Sequence, residues 1–151
     1  MDGTCKMILL AEDNPDDVAL TQRALKRGKV VNELAVVSNG QEAVDYLFGE
    51  GAYADAPPPL PCLILLDLNM PKLGGLQVLE RIRGNERTRI IPTVILTTSK
   101  EERDLVAGYS LGANSYIRKP VDFEQFAEAI QQLGLYWLVL NEAPPTDGNR
   151  A

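Results

Sequence analysis

The chain has 151 residues, 45% of them hydrophobic, with a formal charge of −6 and no histidine. That length suits one compact domain with a real core and leaves no room for a second. The acidic balance argues against a nucleic-acid or anionic-membrane surface, which needs clustered Lys and Arg.

Strand and helix patterns alternate along the sequence. Lys6 to Ala11 is an apolar run of β type, and Pro15 to Arg27 follows as a helix with proline and acids in its first turn, both favourable at an amino end. Leu34 to Val37 reads as a second strand, and Gln41 to Phe48 as a helix entered through Ser38-Asn39-Gly40. The connection from Gly49 to Pro61, with its Pro57-Pro58-Pro59 tract, exceeds the usual loop of about 4 to 6 residues. It is either a tolerated surface insertion or a partner-docking loop.

Pro61 to Leu66 is the third strand. Leu76 to Arg83 is the third helix, with Leu76, Leu79 and Ile82 on one face. Thr93 to Leu96 is the fourth strand, Glu101 to Leu111 the fourth helix, Ser115 to Ile117 a short fifth strand, and Asp122 to about Leu138 the last helix. Five βα units in succession predict an α/β fold, a doubly wound parallel sheet with helices on both faces. Residues 1–140 form this domain and 141–151 read as a frayed tail. No apolar stretch approaches the roughly 18 residues of a spanning helix, and the amino terminus has no signal-peptide pattern, so a cytoplasmic protein with Cys5 and Cys62 reduced is expected.

Chemistry gathers where the strands end. Glu12-Asp13 closes the first apolar run, Asp67 the third, Thr97-Thr98-Ser99 the fourth, and Lys119-Pro120 follows the fifth. In the strand order 2-1-3-4-5 the ends of the first and third strands meet at the topological switch point, where open sheets bind ligands. Glu12, Asp13 and Asp67 then share one crevice, an all-oxygen set that suits Mg²⁺. Lys119 reaches towards them on a flexible stem, and its bond to Pro120 is a candidate cis peptide. A hydroxyl at Thr97, an ammonium and a metal around one carboxylate can hold the oxygens of a transferring phosphoryl group while Asp67 attacks. The absence of histidine removes Ser-His-Asp and Cys-His systems and most zinc sites.

The segments Ala11-Glu12-Asp13-Asn14-Pro15, Leu66-Asp67-Leu68-Asn69-Met70-Pro71 with Gly74-Gly75, Ile95-Leu96-Thr97-Thr98-Ser99 and Gly112-Ala113-Asn114-Ser115-Tyr116-Ile117-Arg118-Lys119-Pro120 together resemble the receiver domain of bacterial response regulators. The resemblance covers about residues 6 to 138 and implies a flavodoxin-like (βα)5 fold. It implies phosphorylation of Asp67 from a phosphohistidine on a sensor histidine kinase. It also implies Mg²⁺ held by Asp13, Asp67 and the Asn69 carbonyl with Glu12 acting through water, and phosphoryl oxygens bound by Thr97 and Lys119. Thr97 and Tyr116 would form the conformational switch, and Asn69 and Ser99 would tune hydrolysis. Lacking histidine, the chain cannot serve as its own phosphohistidine donor.

The Tyr136-Trp137-Leu138 ending and the proline-bearing loop resemble single-domain regulators paired with bacterial phytochrome kinases. That likeness implies homodimers joined through the fourth helix, fifth strand and fifth helix. Phe126, Ile130, Leu133 and Trp137 would face the sheet, whereas Leu135 to Leu140 is apolar all round and must meet a neighbour or fold back. Two rival readings exist. A flavodoxin-type carrier needs a Ser/Thr/Gly-rich phosphate cradle after the first strand, where this chain has Glu12-Asp13-Asn14-Pro15-Asp16-Asp17. An aspartate-based phosphatase would prefer a second acid two residues after its nucleophile, where this chain has Asn69.

Overall fold

The computed structural model describes residues 7–28, 32–68, 70–98 and 110–132. Five strands, β1 (Met7–Ala11), β2 (Glu33–Val37), β3 (Leu63–Asp67), β4 (Thr93–Thr97) and β5 (Ser115–Arg118), form one parallel sheet in the order β2-β1-β3-β4-β5. The strand order and the helices on both faces match the expectation. The predicted fourth helix falls almost wholly outside the described residues, as do Leu133 to Leu140 and the 141–151 tail. The last described helix is therefore labelled α4 (Phe123–Gln132), after α1 (Pro15–Arg27), α2 (Gly40–Phe48) and α3 (Gly75–Arg83).

Alternate residues of each central strand feed opposite layers, because side chains in a strand repeat every two positions. Leu9, Ala11, Ile64, Leu66 and Ile95 pack against Ala43, Val44 and Leu47 of α2 and Val78, Leu79 and Ile82 of α3. Ile8, Leu10, Leu63, Leu65, Val94 and Leu96 pack on the other face against Ala24 and Leu25 of α1 and Phe126, Ala129 and Ile130 of α4. β3 and β4 are buried throughout, which suits the apolar runs Leu63 to Leu66 and Val94 to Leu96. On α3, Leu79 and Ile82 are buried as the spacing suggested, Val78 joins them, and Leu76 is half-buried against the same layer.

Helix ends follow local chemistry. Asn14 caps α1, its Oδ1 accepting from the backbone N–H of Asp16 at 2.8 Å and of Asp17 at 3.2 Å. Gly49 ends α2 at φ 65°, a left-handed conformation that suits glycine. The long loop then turns through a 3-10 segment, Gly51–Tyr53, and the Tyr53 ring meets Tyr46 edge to face at 5.3 Å. The insertion is thus tied down near its start. Cys62 is disulfide-bonded rather than the reduced thiol expected from sequence. The chain's other cysteine, Cys5, lies outside the described residues. Among the described residues no helix is long and apolar enough to cross a membrane.

The end of the sheet away from the charged residues is organised by Arg83. Its guanidinium donates to the carbonyls of Gly112 (2.9 Å), Arg89 (3.0 Å) and Ile91 (2.9 Å) and to Asn114 Oδ1 (2.7 Å). Asn114 Oδ1 also accepts from Thr93 N, so one side chain joins α3 to the entries of β4 and β5. Burial lowers the pKa of Arg83 from its ordinary value, yet guanidinium remains the charged form. Arg83→Ala should destabilise the fold by roughly 2–4 kcal/mol, because several carbonyls lose their donor at once. Arg83→Lys should recover little of this, since an ammonium lacks the planar fork. Urea unfolding of the three proteins measures both differences.

Candidate functional site

The parallel register brings three strand ends to one edge of the sheet. Ala11 pairs with Leu66 and Asp67 with Leu96, so residues 12 and 13 lie beside Asp67, and Asp67 beside the end of β4. Thr97 pairs with Arg118, and Lys119 N donates to Thr97 O at 3.0 Å, which places the lysine one step beyond β5 at the same edge. The Lys119-Pro120 bond is cis, as the sequence suggested.

The loop after Asp67 is folded back tightly. Gly75 N donates to Leu68 O at 3.0 Å, and a Cβ on Gly75 would stand 2.4 Å from Asp67 O. Only glycine lets α3 begin so close beneath the acid.

Glu12, Asp13 and Asp67 each offer a carboxylate oxygen within 4.8 Å of the others. Glu12 and Asp67 are buried, while Asp13 is exposed. At such spacing two ionised carboxylates repel by about 3 kcal/mol in a medium of effective dielectric constant ~20, so the cluster calls for positive charge. Lys119 supplies part of it. Its Nζ lies 2.8 Å from Glu12 Oε1, 3.1 Å from Asp67 Oδ1 and 3.2 Å from Asp17 Oδ2.

These neighbours move proton affinities. Burial raises the Glu12 pKa from 4.5 to about 7; the hydrogen bond from Lys119 opposes the rise and the Asp67 charge adds to it. Burial alone would lower the Lys119 pKa, but Glu12 and Asp67 outweigh it and the pKa is raised. The ammonium is therefore locked in its charged form. The donor set, three carboxylates and no nitrogen or sulfur, fits a hard divalent cation with oxygen ligands.

The structure brings together Glu12, Asp13, Asp67 and Lys119, and sets Thr97, itself buried, at the end of the neighbouring strand. Tyr116 is half-buried on β5, opposite Ile95 and against the layer that holds α2 and α3. Asn69 and Ser99 lie outside the described residues. Two residues went unassigned from sequence. Asp17 contacts Lys119, and Asn14, besides capping α1, donates from its backbone to Glu12 Oε2 at 3.3 Å. The Asn14-Pro15-Asp16-Asp17 run signalled a helix start, but nothing local reveals which acid faces the lysine.

Fold and site together define a doubly wound α/β domain whose switch-point crevice carries an acid cluster and a lysine. The chain belongs to the response regulator receiver domain family, whose model matches residues 8–131. It is a receiver domain of two-component signalling. The bacteriophytochrome response regulator AtBRR shares 48% identity and superposes with a TM-score of 0.81, covering 91% of this chain and 99% of that one. Response regulator Rcp1 of Synechocystis sp. (strain ATCC 27184 / PCC 6803 / Kazusa) is 39% identical over 88% of this chain and 89% of its own length. A structure of its Mn²⁺-bound form gives a TM-score of 0.73 at 39% identity, over 88% of this chain and 94% of that one. The probable methanogenesis regulatory protein FilR2 of Methanothrix harundinacea (strain 6Ac) is 40% identical over 91% of this chain and 87% of its own length.

A raised carboxyl pKa has a definite sign. The folded chain holds the Glu12 proton more tightly than the unfolded chain, so stability falls as pH climbs from about 4.5 towards 7. In chelator, unfolding midpoints should decline over that window, and Glu12→Gln should decline less. Equal pH slopes for the two proteins would count against the assignment.

Proposed function

We propose that Asp67 is the phosphoacceptor of this receiver and that the donor is a phosphohistidine on a sensor histidine kinase of bacterial phytochrome type. One observation carries the reading: Asp67 Oδ1 stands 3.1 Å from the Lys119 ammonium, and the same carboxyl belongs to the Glu12 and Asp13 cluster. The likeness to AtBRR and Rcp1 supports the choice of kinase class.

In the proposed reaction an Asp67 oxygen attacks phosphorus, the bond from phosphorus to the imidazole nitrogen breaks, and its electron pair returns to the ring, which takes up a proton. Lys119 and the Thr97 hydroxyl bind equatorial phosphoryl oxygens as charge spreads over them. Asp13, Asp67 and the Asn69 carbonyl would hold Mg²⁺, with Glu12 acting through water, and the ion would supply positive charge that offsets the phosphoryl group's. The family resemblance contributes Asn69, and the Mn²⁺-bound form of Rcp1 supports a divalent ion. The domain assists its own phosphorylation and dephosphorylation and turns over no separate substrate.

Output follows from a local event. The new dianion draws Thr97 inward, and Tyr116 on the adjacent strand moves into the space released, a two-state element biased by phosphorylation. The face made by the fourth predicted helix, β5 and the last helix would join a second copy of the chain, with the apolar Leu135 to Leu140 ending covered in the dimer.

A transfer assay against a panel of autophosphorylated histidine kinases in Mg²⁺ tests the reaction. Phytochrome-type kinases should label the protein fastest, with a mass gain of about 80 Da that Asp67→Asn abolishes. Equal labelling of that variant would refute the site, and uniform slow transfer from every kinase would refute the partner. Sedimentation velocity tests the assembly: the wild-type chain should run as a dimer, and Leu135→Glu, which helical spacing sets on the side of the apolar ending away from the sheet, should shift it to monomer.

A further inference from the structure

Lys119 has three carboxylate neighbours, and only Glu12 and Asp67 belong to the acid cluster. The third is Asp17 of α1, whose Oδ2 accepts a hydrogen bond from Nζ at 3.2 Å. Asp17 is placed by its own backbone: its N–H is capped by Asn14 Oδ1, and its carbonyl accepts from Thr21 Oγ1 at 2.8 Å. The Asp17 side chain is 26% exposed, against 0% for Glu12 and 4% for Asp67. It therefore stands at the rim, and Lys119 is stretched between the buried acids and this outer one.

An ammonium has three N–H groups, and three carboxylates surround this one. A phosphoryl oxygen that binds Lys119 must displace a partner. The rim contact is the easiest to give up, because water screens the separated charges there. The rim carboxylate also adds negative charge on the exposed side of the lysine, which disfavours an anionic donor, so it opposes uptake in two ways.

We propose that Asp17 is a positioning residue that tethers Lys119 in the unphosphorylated protein and competes with the phosphoryl group for it, and so sets the rate of phosphoryl uptake. The inference rests on the reading of Asp67 as phosphoacceptor. A small donor isolates the effect from kinase docking: with acetyl phosphate, Asp67 attacks phosphorus, the bond to the acetyl oxygen breaks, and acetate leaves with the electron pair.

Asp16 is the matched control. It lies in the same first turn, shares the same favourable position at the helix amino end, is exposed, and forms no ion pair with Lys119. The test measures the rate of acetyl phosphate labelling in Mg²⁺ by intact mass for wild type, Asp16→Asn and Asp17→Asn, with thermal unfolding of each. Both variants should lose similar small amounts of stability. Asp17→Asn should label roughly two- to fivefold faster than both other proteins, the scale of one partly exposed ion pair. Asp17→Asn labelling no faster than wild type, or no faster than Asp16→Asn, would overturn the tether. Labelling that persists in Asp67→Asn would overturn the phosphoacceptor reading itself, which separates the two failures.

Discussion

The charged edge of this protein depends on a single ammonium held among carboxylates. Without Lys119, two buried acids and an exposed one would face each other across less than 5 Å, and burial would favour protonating them rather than leaving them available as ligands. Burial, with a smaller contribution from the Asp67 charge, still raises the Glu12 pKa, and the hydrogen bond from Lys119 opposes that rise. The residual negative charge is what makes the crevice attractive to a divalent ion. A site balanced in this way would respond to charge added at Asp67, the proposed phosphoacceptor.

The sheet makes such a cluster possible. In a parallel sheet every strand ends on the same edge, so residues distant in sequence arrive as neighbours without any long-range loop. The apolar layers on both faces hold that edge rigid. At the opposite edge Arg83 ties α3 to the entries of β4 and β5 through hydrogen bonds to carbonyls and Asn114. One end of β4 and β5 is therefore anchored, and Thr97 and Tyr116 lie on the strands that lead away from the anchor. A rearrangement proposed at Thr97 has a fixed base to work against.

Asp17 adds a feature that membership of the family does not by itself supply. It couples the first turn of α1 to the lysine, so the helix cap at Asn14, the acid cluster and Lys119 form one connected set of hydrogen bonds.

The sequence by itself determined the alternation of strands and helices, because apolar periodicity reports which faces are buried. All nine strands and helices in the described residues fall within two residues of their expected bounds at their amino ends, and Pro15–Arg27 coincides at both. It also exposed Glu12, Asp13, Asp67, Thr97 and Lys119, since a polar residue closing an apolar run stands out locally. Tertiary structure alone decided that Val78 joins the buried face of α3, that Cys62 is disulfide-bonded, and that Arg83 spans three segments. It alone chose Asp17 over Asp16 as the partner of Lys119. Each of these turns on helix phase or on the direction of a side chain after packing, quantities that depend on partners far away in sequence and leave no mark in the local pattern.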